Sequence, residues 1–390
     1  MSLAKYLRLS EEGKAYILKD SMEMLKKVDS ILFDVDGVLI DTRESYDTAI
    51  VKTITILFQK ILNIELLASS TYKTNIYLLR STGGFNNDTD TAYVLSLWLF
   101  SGLPKSKQEV VRGLDAIADD VENPKEFLDI ISQKVISRTG YLRQEFSPTP
   151  PPMEQVVSET IRRTGRQVLS VQDLEQTIKD FVEKNGELRL IETFSRILGQ
   201  PGRYGESLLE TVFCDLYYGP KNVLAIYGRG NYFDFGPGLY LNERINVQES
   251  TLNWLTGRLG SDRIGIVSGR DRLSTEIVLG SLMKYFNPNA CVFLADEHRL
   301  IGEVVKKPSP YGILKAVTRI SGATSPMYLG NSAEDFFMAQ SVDKYGYKTL
   351  FGAVVGLAPN PIGSTEFFAS LGADAILEAP DDLVKLWGVV

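Results

Sequence analysis

Histidine is nearly absent from this chain: His298, in the stretch "ADEHRLIGE", is the single one. That disfavours a histidine-centred triad and a multi-histidine metal site alike, and leaves acid–base chemistry to carboxylates, lysine or tyrosine. His298 itself is expected in a loop. Cysteine is scarce too. Cys214 and Cys291 stand far apart with no metal motif around either, the pattern of two buried thiols in a reducing compartment. No block of lysine and arginine interrupts a formal net charge of −7, which argues against a nucleic-acid partner. Long apolar runs are missing as well. The most apolar segment, "YVLSLWLF" (93–100), falls far short of the ~20 residues that a membrane span needs. The N-terminal "MSLAKYLRLSEEGKAYILKD" is charged throughout and lacks a signal-peptide core. These absences lead to the expectation of a soluble, cytoplasmic protein with no membrane partner.

What the chain does have is a core-forming composition, 44% hydrophobic against 23% charged over 390 residues, enough material for two domains. Two textures divide it. From about residue 263 onward, short apolar runs such as "RIGIVSGR", "ACVFLA", "PMYLGN" and "KTLFGAVVG" alternate with amphipathic stretches such as "RLSTEIVLGSLMKYF" and "SAEDFFMAQSVDKYG". Apolar strands separated by helices predict a parallel sheet covered on both faces. "SILFDV" (30–35) has the same character but stands far earlier in the chain. Between them lie segments with apolar residues at helical spacing, among them "RESYDTAIVKTITILFQKIL", "TAYVLSLWLFSGL" and "YGESLLETVFCDLYYG". The proline-rich "SPTPPP" (147–152) is expected to link two subdivisions of that region. The expected architecture is α/β. A Rossmann-like parallel sheet core is formed by residues 29–42 and 246–390, and an all-helical insertion, residues 43–245, follows its first strand. Residues 1–28 read as an N-terminal helical extension.

In open parallel sheets, ligands bind beyond the carboxyl ends of the strands, near the topological switch point. Polar residues at those ends are therefore the candidates for function. "ILFDVDGVLIDT" ends its strand on Asp34 and Asp36, with Gly37 permitting a tight turn. Two carboxylates so placed either face water or have a cation between them, because close like charges repel and uncompensated burial is costly. "VSGR" contributes Ser268, Gly269 and Arg270, "KKPSP" contributes Lys307, and "LGNSAED" contributes Asn331, Glu334 and Asp335. Singly, each has an ordinary reading. A strand-end serine caps helices, a lone lysine is solvated, and Asp335 follows Ser332 at capping-box spacing. Four such signals in order on one sheet edge carry more weight.

Asp34-Val35-Asp36-Gly37-Val38, the turn at Ser268, Lys307-Pro308, and Gly330-Asn331-Ser332 with Asp335 resemble the four motifs of the haloacid dehalogenase (HAD) superfamily, in its phosphatase branch. The insertion resembles the helical cap of that family, here enlarged. "STGGFNNDTDTA" (81–92) and "GLYLNERI" (238–245) further resemble a subfamily of these hydrolases that carries a Gly-Gly-Phe-Asn-Asn-Asp loop in the cap.

This resemblance implies a magnesium-dependent phosphatase acting on a small phosphorylated metabolite. Asp34 would attack the phosphate to give an aspartyl-phosphate. Asp36 would protonate the leaving oxygen and later activate water. Carbon–halogen cleavers of the family generally lack that second acid, so its presence favours phosphate chemistry. Ser268, Gly269, Arg270 and Lys307 would hold the phosphoryl group. Mg2+ would be bound by Asp34, the Asp36 carbonyl, Asn331 and Asp335. The cap would close over the Asp34 site and select the leaving group, with Asn86 and Asn87 as its contacts. The competing reading of that loop is a helix N-cap at Asp88 or Thr89. One departure stands out: the fourth motif usually opens Gly-Asp, and Asn331 carries one negative charge fewer. A phosphosugar mutase and a non-catalytic protein that binds phosphorylated ligands are the alternatives. The apolar content of the cap is compatible with homo-oligomerisation.

Overall fold

The computed structural model describes residues 3–9, 15–67, 70–85, 87–119, 121–166, 168–183, 188–301 and 305–388. The chain divides into two compact units, Met1–Thr42 with Glu243–Val390, and Arg43–Asn242. In chain order the first unit contributes β1 (Tyr6–Arg8), β2 (Tyr16–Leu18), β3 (Ser30–Phe33) and β4 (Ile40–Asp41). The second unit holds β5 (Ile64–Leu66) and β6 (Gln144–Phe146). The first then resumes with β7 (Arg244–Ile245), β8 (Ile264–Ser268), β9 (Cys291–Phe293), β10 (Pro326–Gly330), β11 (Leu350–Val354) and β12 (Ala375–Leu377).

Eight strands form one sheet in the order β1-β2-β12-β11-β10-β3-β8-β9. The strands from β12 to β9 are mutually parallel. The fold is α/β with a parallel-dominated, Rossmann-like sheet. All four residues of β3 are buried; Ile31 and Phe33 enter one core and Leu32 the other. Burial on both faces is why this strand reads as an unbroken apolar run. The helix Glu249–Leu259 sends Leu252 and Leu255 into the first core, and Tyr311–Val317 sends Ile313 and Ala316 into the second. After β3 the chain adds β8 and β9 on one side, then crosses to add β10 on the other. The switch point of the sheet is therefore β3 itself, the strand that ends at Asp34.

Four expectations need correction. Residues 1–28 are not a helical extension: β1 and β2 pair antiparallel and extend the sheet, with Ile17 opposite Ala375 of β12. The Tyr6 hydroxyl donates to the Ala373 carbonyl at 2.7 Å, and among the described residues of this segment α-helix is confined to Met22–Leu25. Three-residue strands are too short to outweigh a helical reading, and their partner lies at the far end of the chain. Residues 243–245 belong with the sheet unit, because β7 pairs with β4 and sets Ile245 opposite Ile40. The insertion is not all helical, since β5 and β6 form a parallel pair within it. His298 lies in the helix Leu294–Ile301 that begins where β9 stops, not in a loop.

The insertion is otherwise built as its periodicity predicts. Tyr46–Leu62 buries Ala49, Ile50, Ile54, Leu57, Phe58 and Ile61 along one face and ends at Asn63, whose left-handed backbone (φ 54) closes the helix. Phe194 packs edge-on against Phe58 and stacks on Phe100 at 4.3 Å. Phe85 joins the same core. Residues 147–152 carry no regular structure and lead into the helix Met153–Thr164. Among the described residues, no helix is long and apolar enough to cross a membrane.

Candidate active site

Asp34 follows β3 directly, and its N–H donates to the Leu329 carbonyl at 2.8 Å, carrying the pairing with β10 one residue further. The chain then turns back: Gly37 N–H donates to the Ile40 carbonyl (2.8 Å) and Ile40 N–H to the Val35 carbonyl (2.9 Å). Gly37 is required twice over. Its φ is +73°, and a Cβ at this position would lie 2.0 Å from the side-chain nitrogen of Asn331. The amide of Asn331 thus rests against the turn that follows Asp34.

The Asp34 carboxylate is buried, with Oδ1 accepting the Val35 N–H at 2.8 Å and Oδ2 standing 2.7 Å from Lys307 Nζ. Burial pushes the Asp34 carboxyl up to about 7. Lys307 opposes that shift, and the neighbouring carboxylates of Asp335 and Asp36 add to it. Lys307 is buried as well, and its ammonium also meets Asp335 Oδ1 at 2.6 Å. Burial works against the lysine charge, but the two carboxylates outweigh it and hold the Lys307 pKa above the ordinary lysine value.

Asp335, expected as a metal ligand, is taken up otherwise. Its Oδ2 accepts the Asn331 N–H (3.1 Å), the Ser332 N–H (3.0 Å) and the Ser332 hydroxyl (2.7 Å), in a capping box that opens the helix Ala333–Val342. Its Oδ1 is shared by Lys307 and the Tyr328 hydroxyl (2.8 Å). A carboxylate offers about four lone-pair directions, so this one has no face left for a cation. Burial opposes its ionisation, yet Lys307 and these hydrogen bonds prevail and keep its pKa below the usual carboxylate range. Gly330 makes the arrangement accessible, because a Cβ there would sit 2.4 Å from Asp335 Cβ.

Asp36 is held from the neighbouring strand. Phe33 lies opposite Ile266 of β8, and β8 ends at Ser268, whose Oγ accepts the Arg270 N–H at 3.4 Å. Arg270, expected to bind the phosphoryl group, instead directs all three guanidinium nitrogens at protein groups. Nη1 donates to Asp36 Oδ1 at 3.0 Å, Nη2 to Glu243 Oε2 at 2.6 Å, and Nε to Ser274 Oγ at 2.9 Å. The Ser274 hydroxyl in turn donates to Asp271 Oδ2 at 2.7 Å. Direct contacts therefore unite Asp34, Lys307, Asp335 and Asn331 in one group and Asp36 with Arg270 in another, the two joined through the turn that carries Asp34 and Asp36, with Ser268 and Gly269 at the adjacent strand end. Sequence reasoning did not single out Glu243 or Tyr328. Glu243 lies within the quoted "GLYLNERI" stretch, but nothing local there signals a meeting with Arg270.

Magnesium takes oxygen ligands. The Asp34 carboxylate, the Asp36 carbonyl and the Asn331 amide are oxygen donors carried by one turn and the side chain resting on it. With a single carboxylate, this donor set fits a magnesium ion that would complete its shell with water. Among the described residues, no three carboxylate, histidine or cysteine side chains gather into a cation cage.

In the insertion, Asn86 lies outside the described residues. Asn87, expected to contact the leaving group, is the N-cap of the helix Asp88–Ser101, its Oδ1 accepting the Thr89 N–H at 3.1 Å and the Thr89 hydroxyl at 2.8 Å. The cap falls on Asn87 rather than on Asp88 or Thr89. Asp88 pairs with Arg80 at 2.6 Å, and Arg80 also pairs with Asp47 at 2.8 Å.

No family model matches this chain, and no curated protein sequence matches it. Among solved structures, the X-ray structure of Northeast Structural Genomics Consortium target ZR25 superposes with a TM-score of 0.61 at 15% identity, over 93% of this chain and 98% of that one. The structure of phosphatase Tt82 from Thermococcus thioreducens aligns at 20% identity with a TM-score of 0.41, over 83% and 92%. The first is a likeness of fold.

Proposed function

We propose that the protein is a phosphoric monoester hydrolase of the haloacid dehalogenase type, acting on a small phosphorylated metabolite through an aspartyl-phosphate on Asp34. One observation carries this reading. A buried Asp34 at the switch point of the sheet is paired with Lys307, while Asp36, two residues further on, is held among the described residues through Oδ1. In the first half-reaction an Asp34 oxygen attacks phosphorus as the bond to the leaving oxygen breaks, and Asp36 gives that oxygen its proton. In the second, Asp36 takes a proton from water as the water oxygen attacks phosphorus. The Asp34–phosphorus bond then breaks, releasing phosphate and restoring the carboxylate. Lys307 favours the ionised nucleophile and would meet phosphoryl oxygens. Asp34, the Asp36 carbonyl and Asn331 would hold Mg2+, which when bound offsets the repulsion between a carboxylate and an anionic phosphate.

Asn331 supports a second reading, ligand binding without turnover, because an amide replaces the carboxylate of the resembling motif. The test is inorganic phosphate release from a broad panel of phosphorylated metabolites, with and without magnesium, beside the Asp34→Asn protein. The hydrolase gives magnesium-dependent release that the variant loses by more than about three orders of magnitude. Ligand-dependent melting shifts with no release would favour the second reading.

A further inference from the structure

The side chain of Arg270 is fully buried, as is that of Glu243, whereas the Asp36 side chain keeps 33% exposure. An arginine facing a single carboxylate tends to a two-point grip on both of its oxygens. Here the second guanidinium arm is taken by Glu243, and Ser274, itself fastened to Asp271, takes Nε. Arg270 consequently reaches Asp36 through Oδ1 alone. Glu243 stands beside β7, which pairs with β4 just past the turn that carries Asp36, so backbone pairing fixes both ends of the chain of contacts.

We infer that Glu243 is a positioning residue: by occupying one arm of Arg270 it limits that side chain to a one-point hold on Asp36 and keeps Oδ2 for proton transfer to the leaving oxygen. This rests on the hydrolase reading above. In the step concerned, the phosphorus–oxygen bond to the leaving group breaks as the Asp34–phosphorus bond forms, and the proton passes from Asp36 Oδ2 to the departing oxygen. Without Glu243, Arg270 swings onto both Asp36 oxygens and the proton path closes. The loss then grows as the leaving group becomes more basic and more dependent on protonation.

The experiment uses the full chain with magnesium and a series of aryl phosphates running from p-nitrophenyl to unsubstituted phenyl phosphate. Wild type, Glu243→Gln, Asp36→Asn and the double variant are compared by kcat/KM, with melting temperatures recorded alongside. Glu243→Gln is expected to lose little on p-nitrophenyl phosphate and roughly tenfold or more on phenyl phosphate, a fraction of the 10²–10⁴ that proton transfer supplies. The double variant is expected to fall no further than Asp36→Asn alone, since both changes remove one function. Should Glu243→Gln fail to fold, Glu243→Asp keeps the buried charge balance while drawing the carboxylate back from Arg270 Nη2, and is expected to give the same leaving-group dependence. An equal loss across the series, or losses that multiply with those of Asp36→Asn, would assign Glu243 a structural role and overturn the inference. A wild type without Asp34-dependent cleavage of any member would instead bring down the hydrolase reading, and this inference with it.

Discussion

Lys307 Nζ stands 2.7 Å from Asp34 Oδ2, joining the carboxyl end of β3 to the segment that precedes the helix Tyr311–Val317. Because the same ammonium meets Asp335, one buried cation holds two buried carboxylates apart and neutralises part of their charge. The nucleophile candidate is thus placed by an ion network as well as by its strand.

Removing that cation leaves Asp34 and Asp335 buried without a counter-charge. Lys307→Met is therefore expected to lower stability by about 3–5 kcal/mol, the usual consequence of taking one partner from a buried ion pair. Urea denaturation at neutral pH measures it, and a loss below about 1 kcal/mol would show that the lysine is not paired in solution.

The two carboxylates carry opposite signs in their pH dependence. Asp335, held below the ordinary range, contributes stability above its unfolded-state pKa of about 3.9 and loses it as pH falls through the lower folded-state value. Asp34, pushed up to about 7 by burial, makes the protein less stable as pH rises from about 4 towards 7. Urea midpoints of wild type and Asp34→Asn across that range are expected to diverge, with the variant declining less. Asp335→Asn is expected to be weakest relative to wild type at neutral pH and to approach it in acid.

A carboxylate at position 331 restores the charge that the resembling motif carries. Asn331→Asp is expected to lower the magnesium concentration for half-maximal activity on the order of tenfold, since ligand charge sets affinity for hard cations. A titration of phosphate release against magnesium decides this, and an unchanged midpoint would remove position 331 from the ligand set.

Asn87 closes the first turn of a long buried helix. Asn87→Ala is expected to cost about 1 kcal/mol, and Asn87→Ser to recover most of it. Thermal and urea unfolding of both variants test the capping role, and equal stability of all three proteins would contradict it.

The parallel strands of the sheet and most helices were legible from the sequence because their causes are local. Burial on both faces makes β3 and β10 continuous apolar runs, and one-sided burial gives Tyr46–Leu62 its three-to-four spacing. The candidates Asp34, Ser268 and Asn331 were legible for a related reason, since polar residues at the carboxyl ends of buried strands interrupt an apolar pattern, and Lys307 stood out as a lysine just ahead of a helix opened by Ser309-Pro310. The capping spacing of Ser332 and Asp335 was equally visible. What these residues do with one another was not. That Asp335 has no lone pair for a cation, that Arg270 holds Asp36 rather than facing outward, and that β1 and β2 complete the sheet beside β12 all depend on groups distant in the chain. Local sequence sets backbone conformation and which faces shed water. Which buried charge neutralises which, and which oxygens remain for chemistry, follows only when the assembled sheet brings remote segments within hydrogen-bond reach, where a low dielectric makes each pairing strong.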